Sequence, residues 1–169
     1  TIKIAKKELG GLLKAGDHKG TIVESGIEFS KQQPNWKDRT PQLKVVVKNA
    51  YGQITAWLNL KGYQNSSDFK GGIAPKGHKF ASFNETSEKF LVNMKTGERV
   101  ESEERTAKLL TNVGNLGYAI GMTDEDASED DIASACLDSE VGVRVRDNAD
   151  GRPEAYFFMP ADEFVETVK

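Results

Sequence analysis

Residues 43–60 alternate apolar and polar side chains on either side of a short turn, and this pattern restricts the fold more than any other. Leu43, Val45 and Val47 alternate with Lys44, Val46 and Lys48. After Asn49-Ala50-Tyr51-Gly52, the residues Ile54, Ala56, Leu58 and Leu60 alternate with Thr55, Trp57, Asn59 and Lys61. Successive side chains of a strand point to opposite faces, so period-two alternation means a hairpin with one buried and one exposed face. An even-length loop such as 49–52 places Lys44 opposite Trp57 and keeps both apolar sets together. The outward face then carries Lys44, Val46, Lys48, Thr55, Trp57, Asn59 and Lys61. A slip of one residue would turn that whole set inward.

The other elements are arranged around this hairpin. Lys6–Leu13 is a short amphipathic, helical segment ended by Gly10/Gly11 or by Gly16. Thr21–Phe29 reads as a strand with Gly26 in mid-run, where a glycine marks a bulge or a sharp bend. A polar loop over 31–41 follows, carrying Trp36, Lys37 and Arg39. Residues 64–79 are rich in turn formers and form a mobile excursion. Phe80–Phe83 and Lys89–Met94 are further strands, the second turning at Lys95-Thr96-Gly97 into Glu98–Val100. Helical spacing starts near Glu103 through Leu109, Leu110, Val113, Leu116 and Ile120, interrupted by Gly114, Gly117 and Gly121. Ser128-Glu129-Asp130-Asp131 resembles a capping box before a helix over Ile132–Leu137. In a closing hairpin, Val141, Val143 and Val145 alternate with Arg144 and Arg146, and Ala155–Met159 returns after a turn at 147–153.

Charge is divided along the chain. Residues 1–100 hold 17 Lys and Arg against 9 Asp and Glu, a net of +8, whereas residues 101–169 hold 6 against 17, a net of −11. A basic front with an acidic back suits one polyanion-binding face on a chain of net charge −3. The expectation is one soluble, cytoplasmic domain over residues 1–169. The 169 residues are enough for one core, no apolar run spans a membrane, and the start lacks a secretory signal. The single Cys136 fits a reducing compartment.

Five or six strands with a helix before the last pair imply a mainly β, α+β fold, a small, partly closed OB-like β-barrel. Such barrels bind oligomers across the strand 2–3 face and the loop after strand 1. The basic and aromatic residues sit on that loop and that face. The succession Gly20–Val23, Pro41–Val47, Trp57–Leu60, Leu116–Gly121 and Val141–Val145 is similar to bacteriophage OB-fold single-stranded DNA-binding proteins, in order over about residues 19–160. The resemblance implies a non-catalytic protein of phage or plasmid replication and recombination. Its barrel groove would use Trp36, Lys37, Arg39, Lys44, Lys48, Trp57 and Lys61. Many such proteins end in an acidic tail with an aromatic tip. Here the sequence ends Asp162–Lys169 and finishes on lysine, a departure that argues against tail-mediated recruitment.

The residues support the same chemistry independently. A sequence-independent single-strand binder needs a positive groove for phosphates and flat rings for bases, and Trp36 and Trp57 among lysines offer both. Arg144 and Arg146 extend that groove beside Tyr156 and Phe158 or beside Phe157. A structural or adaptor barrel is the other reading, binding a protein through the Trp57 face or through the acidic segment Asp124–Asp131. RNA in place of DNA, and a homo-oligomeric state, stay open.

Catalytic and cofactor motifs are incomplete. Gly71–Lys79 lacks the Lys-Ser/Thr pair of a phosphate-binding P-loop. Asp124, Asp126, Ser128 and Asp130 start like a calcium loop, but Glu129 and Ala135 stand where glycine and glutamate are needed. His18, His78 and Cys136 are too few for structural zinc, and Cys136 lies in an apolar run. No cofactor, metal or catalytic residue is expected.

Overall fold

The structure, a computed structural model, describes residues 11–163. Its strands are β1 (Gly16–Phe29), β2 (Pro41–Asn49), β3 (Gly52–Asn59), β4 (His78–Ser82), β5 (Lys89–Asn93), β6 (Glu140–Asp147) and β7 (Pro153–Met159). Two helices, α1 (Glu103–Ala119) and α2 (Glu129–Cys136), stand between β5 and β6. The fold is therefore mainly β and of the α+β class, as the pattern implies. Strands β3-β2-β1-β6-β7 form one antiparallel sheet in that order, and β4-β5 form a second. The larger sheet keeps two edges, β3 and β7, so it is not a closed barrel. Among the described residues no helix is long and apolar enough to cross a membrane. Lys6–Gly10 of the expected amphipathic segment, and 164–169 of the C-terminal stretch, lie outside the described residues. Leu12 bridges Gln53 in parallel, and Leu13 is buried.

The chain divides into two compact units, each drawn from several stretches. Among the described residues the first comprises 11–27, 43–58 and 112–163. In β1, His18 pairs with Val143 and Gly20 with Val141, so these residues share a face with buried Val145 and Ile22. Leu43, Val45, Val47, Ile54 and Ala56 are buried as the alternation requires. Gly20 is the glycine that matters in β1. A Cβ there would stand 2.6 Å from Val47 Cγ1 and 2.9 Å from the Lys48 carbonyl oxygen. Gly26, where a bend was expected, has open space around it and no positive φ. Asn49 shapes the hairpin turn: its Oδ1 accepts from the Tyr51 and Gly52 amides, and its Nδ2 donates to Lys19 O at 2.8 Å.

Both helices close on local signals. At the end of α1, Met122 N donates to Gly117 O and Gly121 N to Tyr118 O, with Gly121 at φ 89°. This is a Schellman motif, whose left-handed position favours glycine. Helix α2 starts with the expected box: Ser128 Oγ accepts from the Asp131 amide, and the Asp131 carboxylate accepts from the Ser128 amide.

The second unit comprises 28–42 and 59–111. Its β4 and β5 pair from His78–Asn93 to Ser82–Lys89, and Arg99 bridges Val92 after the turn at 95–97. The 64–79 stretch, expected to be a mobile excursion, contains two short 3-10 turns, Ser66–Asp68 and Lys70–Gly72. Asn65 and Asp68 cap the first reciprocally. Arg105 grips the Asp68 carboxylate with both guanidinium arms, at 2.5 and 2.8 Å, which holds that carboxyl below its usual range.

Gly20 and Gly26 of β1 give a direct test. Gly20→Ala should destabilise by about 1–3 kcal/mol, because the methyl group enters occupied space. Gly26→Ala should leave stability unchanged or raise it by up to ~1 kcal/mol. Urea unfolding midpoints of the two variants check this, and equal midpoints would refute the close approach at Gly20.

Candidate nucleic-acid interface

In the first unit the outward face of the sheet is fixed by parity. Lys44 and Lys48 alternate with buried Leu43, Val45 and Val47. The near-contact of Gly20 with Val47 puts Lys19 on the same side as Lys48. Asp17 pairs with Arg144 across β1 and β6, and Arg144 with Phe157 across β6 and β7. Trp57, Lys44, Lys48, Lys19, Arg144 and Phe157 therefore lie on one face. Val46 shares that face but is covered.

The rings on this face are accessible and have cations beside them. Trp57 is 49% exposed, with Lys44 Nζ 5.2 Å from its ring centre. That proximity supports the expected cross-strand placement of Lys44 against Trp57. On the opposite flank, a β-bulge in β7 decides what parity alone left open. Arg144 pairs with Phe157 and Val145 with Ala155, so Tyr156 is the extra, unpaired residue. Tyr156 and Phe157 are thus both exposed, at 43% and 39%, while Phe158 is buried. The Arg146 guanidinium lies 4.4 Å from the Tyr156 ring, and that of Arg144 lies 5.8 Å from the Phe157 ring. From β3 to β7 is four strand spacings, about 19 Å at ~4.8 Å each.

Carboxylates balance part of this charge. Glu24 meets Lys44 at 3.1 Å, and Asp17 meets Arg144 through two hydrogen bonds of 2.8 and 3.2 Å. The Asp17 bonds raise the affinity of Arg144 for its proton. Ion pairs this exposed are weak, since water screens them and long side chains lose freedom in forming them. Lys19 and Lys48 have no carboxylate within ion-pair distance among the described residues. They flank a hollow of about 190 Å³ also lined by Thr21, Asn49 and Glu140.

The second unit holds the remaining expected residues, of which Trp36 is buried, Lys61 half-buried, and Lys37 and Arg39 exposed. Trp36 is 7% exposed, with Phe90 packed edge-on at 5.5 Å and the Arg99 guanidinium 4.5 Å from its ring centre. A base has no face of this ring to stack on, so the stacking role expected for Trp36 is replaced by a core role. Arg99, which the sequence reading did not single out, organises this core. Its guanidinium also lies 3.8 Å from the Tyr63 ring centre and 5.4 Å from that of Phe90. Asp38 holds it at 3.0 Å and Thr40 at 2.9 Å. Arg39 donates to the Ser30 and Phe29 carbonyls and braces the loop. The Lys37 stem runs along Gly97, and Lys61 Nζ is 5.8 Å from the Tyr63 ring centre.

His18 and Cys136 are both buried, and burial pushes the Cys136 thiol up to about 12. Among the described residues no cluster of three or more His, Cys, Asp or Glu could hold a metal ion. The chain matches no protein-family model and no curated protein.

Two expectations follow from these environments. Arg99→Ala strands the Asp38 carboxylate and should cost about 3–5 kcal/mol in urea unfolding, whereas Trp57→Ala should cost under ~1 kcal/mol, as surface changes do. A reversed order would overturn the division into core and surface tryptophans. The native Cys136 thiol should resist iodoacetamide at pH 8 and react only after unfolding. Its protonated form persists until the pH approaches about 12, and the thiolate is the nucleophile. Rapid native labelling would contradict its burial.

Proposed function

We propose that the outward face of the five-stranded sheet binds single-stranded DNA without base specificity and without catalysis. In this reading the protein acts like the phage single-stranded DNA-binding proteins its sequence resembles, in replication and recombination within the cytoplasm of the cell that harbours it. The observation that carries the reading is Trp57, half exposed on a strand, with the Lys44 ammonium 5.2 Å from its ring centre. A base stacks on Trp57, and Lys19 and Lys48 take the phosphates that follow. Phe157 and Tyr156 then offer a second stacking site beside Arg144 and Arg146.

Stacking suits this task because every base has a π-face, so affinity of roughly 1–3 kcal/mol per base comes without sequence preference. Duplex DNA keeps its bases stacked on one another and gains only the phosphate contacts. Phosphates compete with Glu24 and Asp17 for Lys44 and Arg144, and that exchange is cheap because exposed pairs are weak. RNA single strands present the same rings and phosphates and bind by the same contacts.

Fluorescence anisotropy with a labelled oligonucleotide of ~30 nucleotides tests the reading, with the salt slope expected near −0.7 per phosphate contact. Trp57→Ala and Phe157→Ala should each weaken binding by about 1–3 kcal/mol. Lys48→Ala should lower the slope by about 0.7. Absence of binding at low salt, or equal affinity for duplex, would overturn it.

A further inference from the structure

The helical part of the first unit carries a second surface with the opposite charge. A cavity of about 250 Å³ opens between α1 and α2. Two glycines of α1 line it: Gly114 leaves the mouth open, and Gly117 lets Ile132 and Met122 pack against the helix. A Cβ at Gly117 would stand 3.7 Å from Ile132 and from the Met122 sulfur, which form the floor. Nothing lies within 4 Å of the place a Gly114 side chain would occupy, so the mouth is clear. Tyr118 stands at the opening, 63% exposed. Glycine inside a helix costs roughly 1 kcal/mol relative to alanine, so α1 gives up stability where the cavity forms.

The rim of this cavity is acidic. Asp124 and Glu125 line it, and residues 124–131 carry six carboxylates with no lysine or arginine among them. None of the six has a cationic side chain within ion-pair distance among the described residues. Helix α2 favours the three in its first turn, Glu129, Asp130 and Asp131. Asp124, Glu125 and Asp126 precede that helix and leave an uncompensated negative field at the cavity mouth.

We propose that this cavity docks a segment of a partner protein in which one bulky apolar side chain is flanked by lysines or arginines. The apolar side chain seats over the open Gly114 position against Tyr118, Met122 and Ile132, and the flanking cations meet Asp124 and Glu125. Charge complementarity selects this occupant. Six carboxylates repel nucleic acid and acidic peptides, and a neutral apolar ligand would leave the field unanswered. The volume holds one large side chain and falls short of the ~300–1,000 Å³ usual for small-molecule sites. Methionine at the floor adapts to the shape of the anchor.

Amide NMR titration with three capped pentapeptides tests the proposal: Lys-Lys-Phe-Lys-Lys, Lys-Lys-Ala-Lys-Lys and Glu-Glu-Phe-Glu-Glu. The first should shift amides within residues 114–132, and the other two should bind at least tenfold more weakly. Gly114→Leu fills the mouth with a residue that suits a helix and should cut affinity at least tenfold while the melting transition holds or rises. Asp124→Asn combined with Glu125→Gln should do the same. The proposal is overturned if millimolar Lys-Lys-Phe-Lys-Lys leaves residues 114–132 unshifted. It also falls if the Phe and Ala peptides bind equally, or if Gly114→Leu binds as the parent does.

Discussion

The larger sheet depends on the two-sided pairing of β1. On one flank its residues Gly16 to Thr21 pair with β6, joining positions as distant as Asp17 and Arg144. On the other flank β2 packs so closely that only a glycine fits at position 20. Pairing over such sequence separations must repay the entropy of closing a long loop, so every contact that tightens the β1–β2 and β1–β6 seams counts. The same pairing sets the faces. Once His18 and Gly20 turn inward with Val143 and Val141, Asp17 and Lys19 turn outward with Arg144.

That outward face follows a consistent economy. Its aromatic rings remain accessible at both flanks, on β3 and on bulged β7, and each has a cation beside it. Carboxylates partner Lys44 and Arg144 without burying them, which keeps the cations ordered and still exchangeable. The opposite strategy operates around Arg99, where Asp38, Thr40 and three rings surround the guanidinium of a side chain that is 6% exposed. One arrangement of arginine and aromatic rings stabilises a core, and the other presents a surface.

Strict alternation made the hairpin legible, and with it the outward placement of Trp57 and Lys44. The capping box at Ser128 and the turn at Lys95–Gly97 were legible for the same reason: each is a local pattern with a local cause. Trp36 was not, because a loop has no periodicity and only the packed structure shows Arg99 and Phe90 around its ring. Lys19 was missed because β1 begins at Gly16, five residues before the apolar run that marks it in sequence. The exposure of both Tyr156 and Phe157 depends on a bulge, and no residue near it signals one. The mid-run position of Gly26 suggests a bulge or bend, but the close approach is at Gly20, since a sequence shows where glycines are but not which neighbour approaches them.

The two tryptophans allow the central claim to be read from one fluorophore at a time. Trp36→Phe leaves Trp57 as the only indole, and Trp57→Phe leaves Trp36. Titrating each with an unlabelled single-stranded oligonucleotide at low salt should quench the emission of the Trp57-only protein. Rising salt should relieve that quenching, and the emission of the Trp36-only protein should stay unchanged. Quenching of Trp36 with Trp57 unaffected would place the nucleic acid elsewhere and contradict the account.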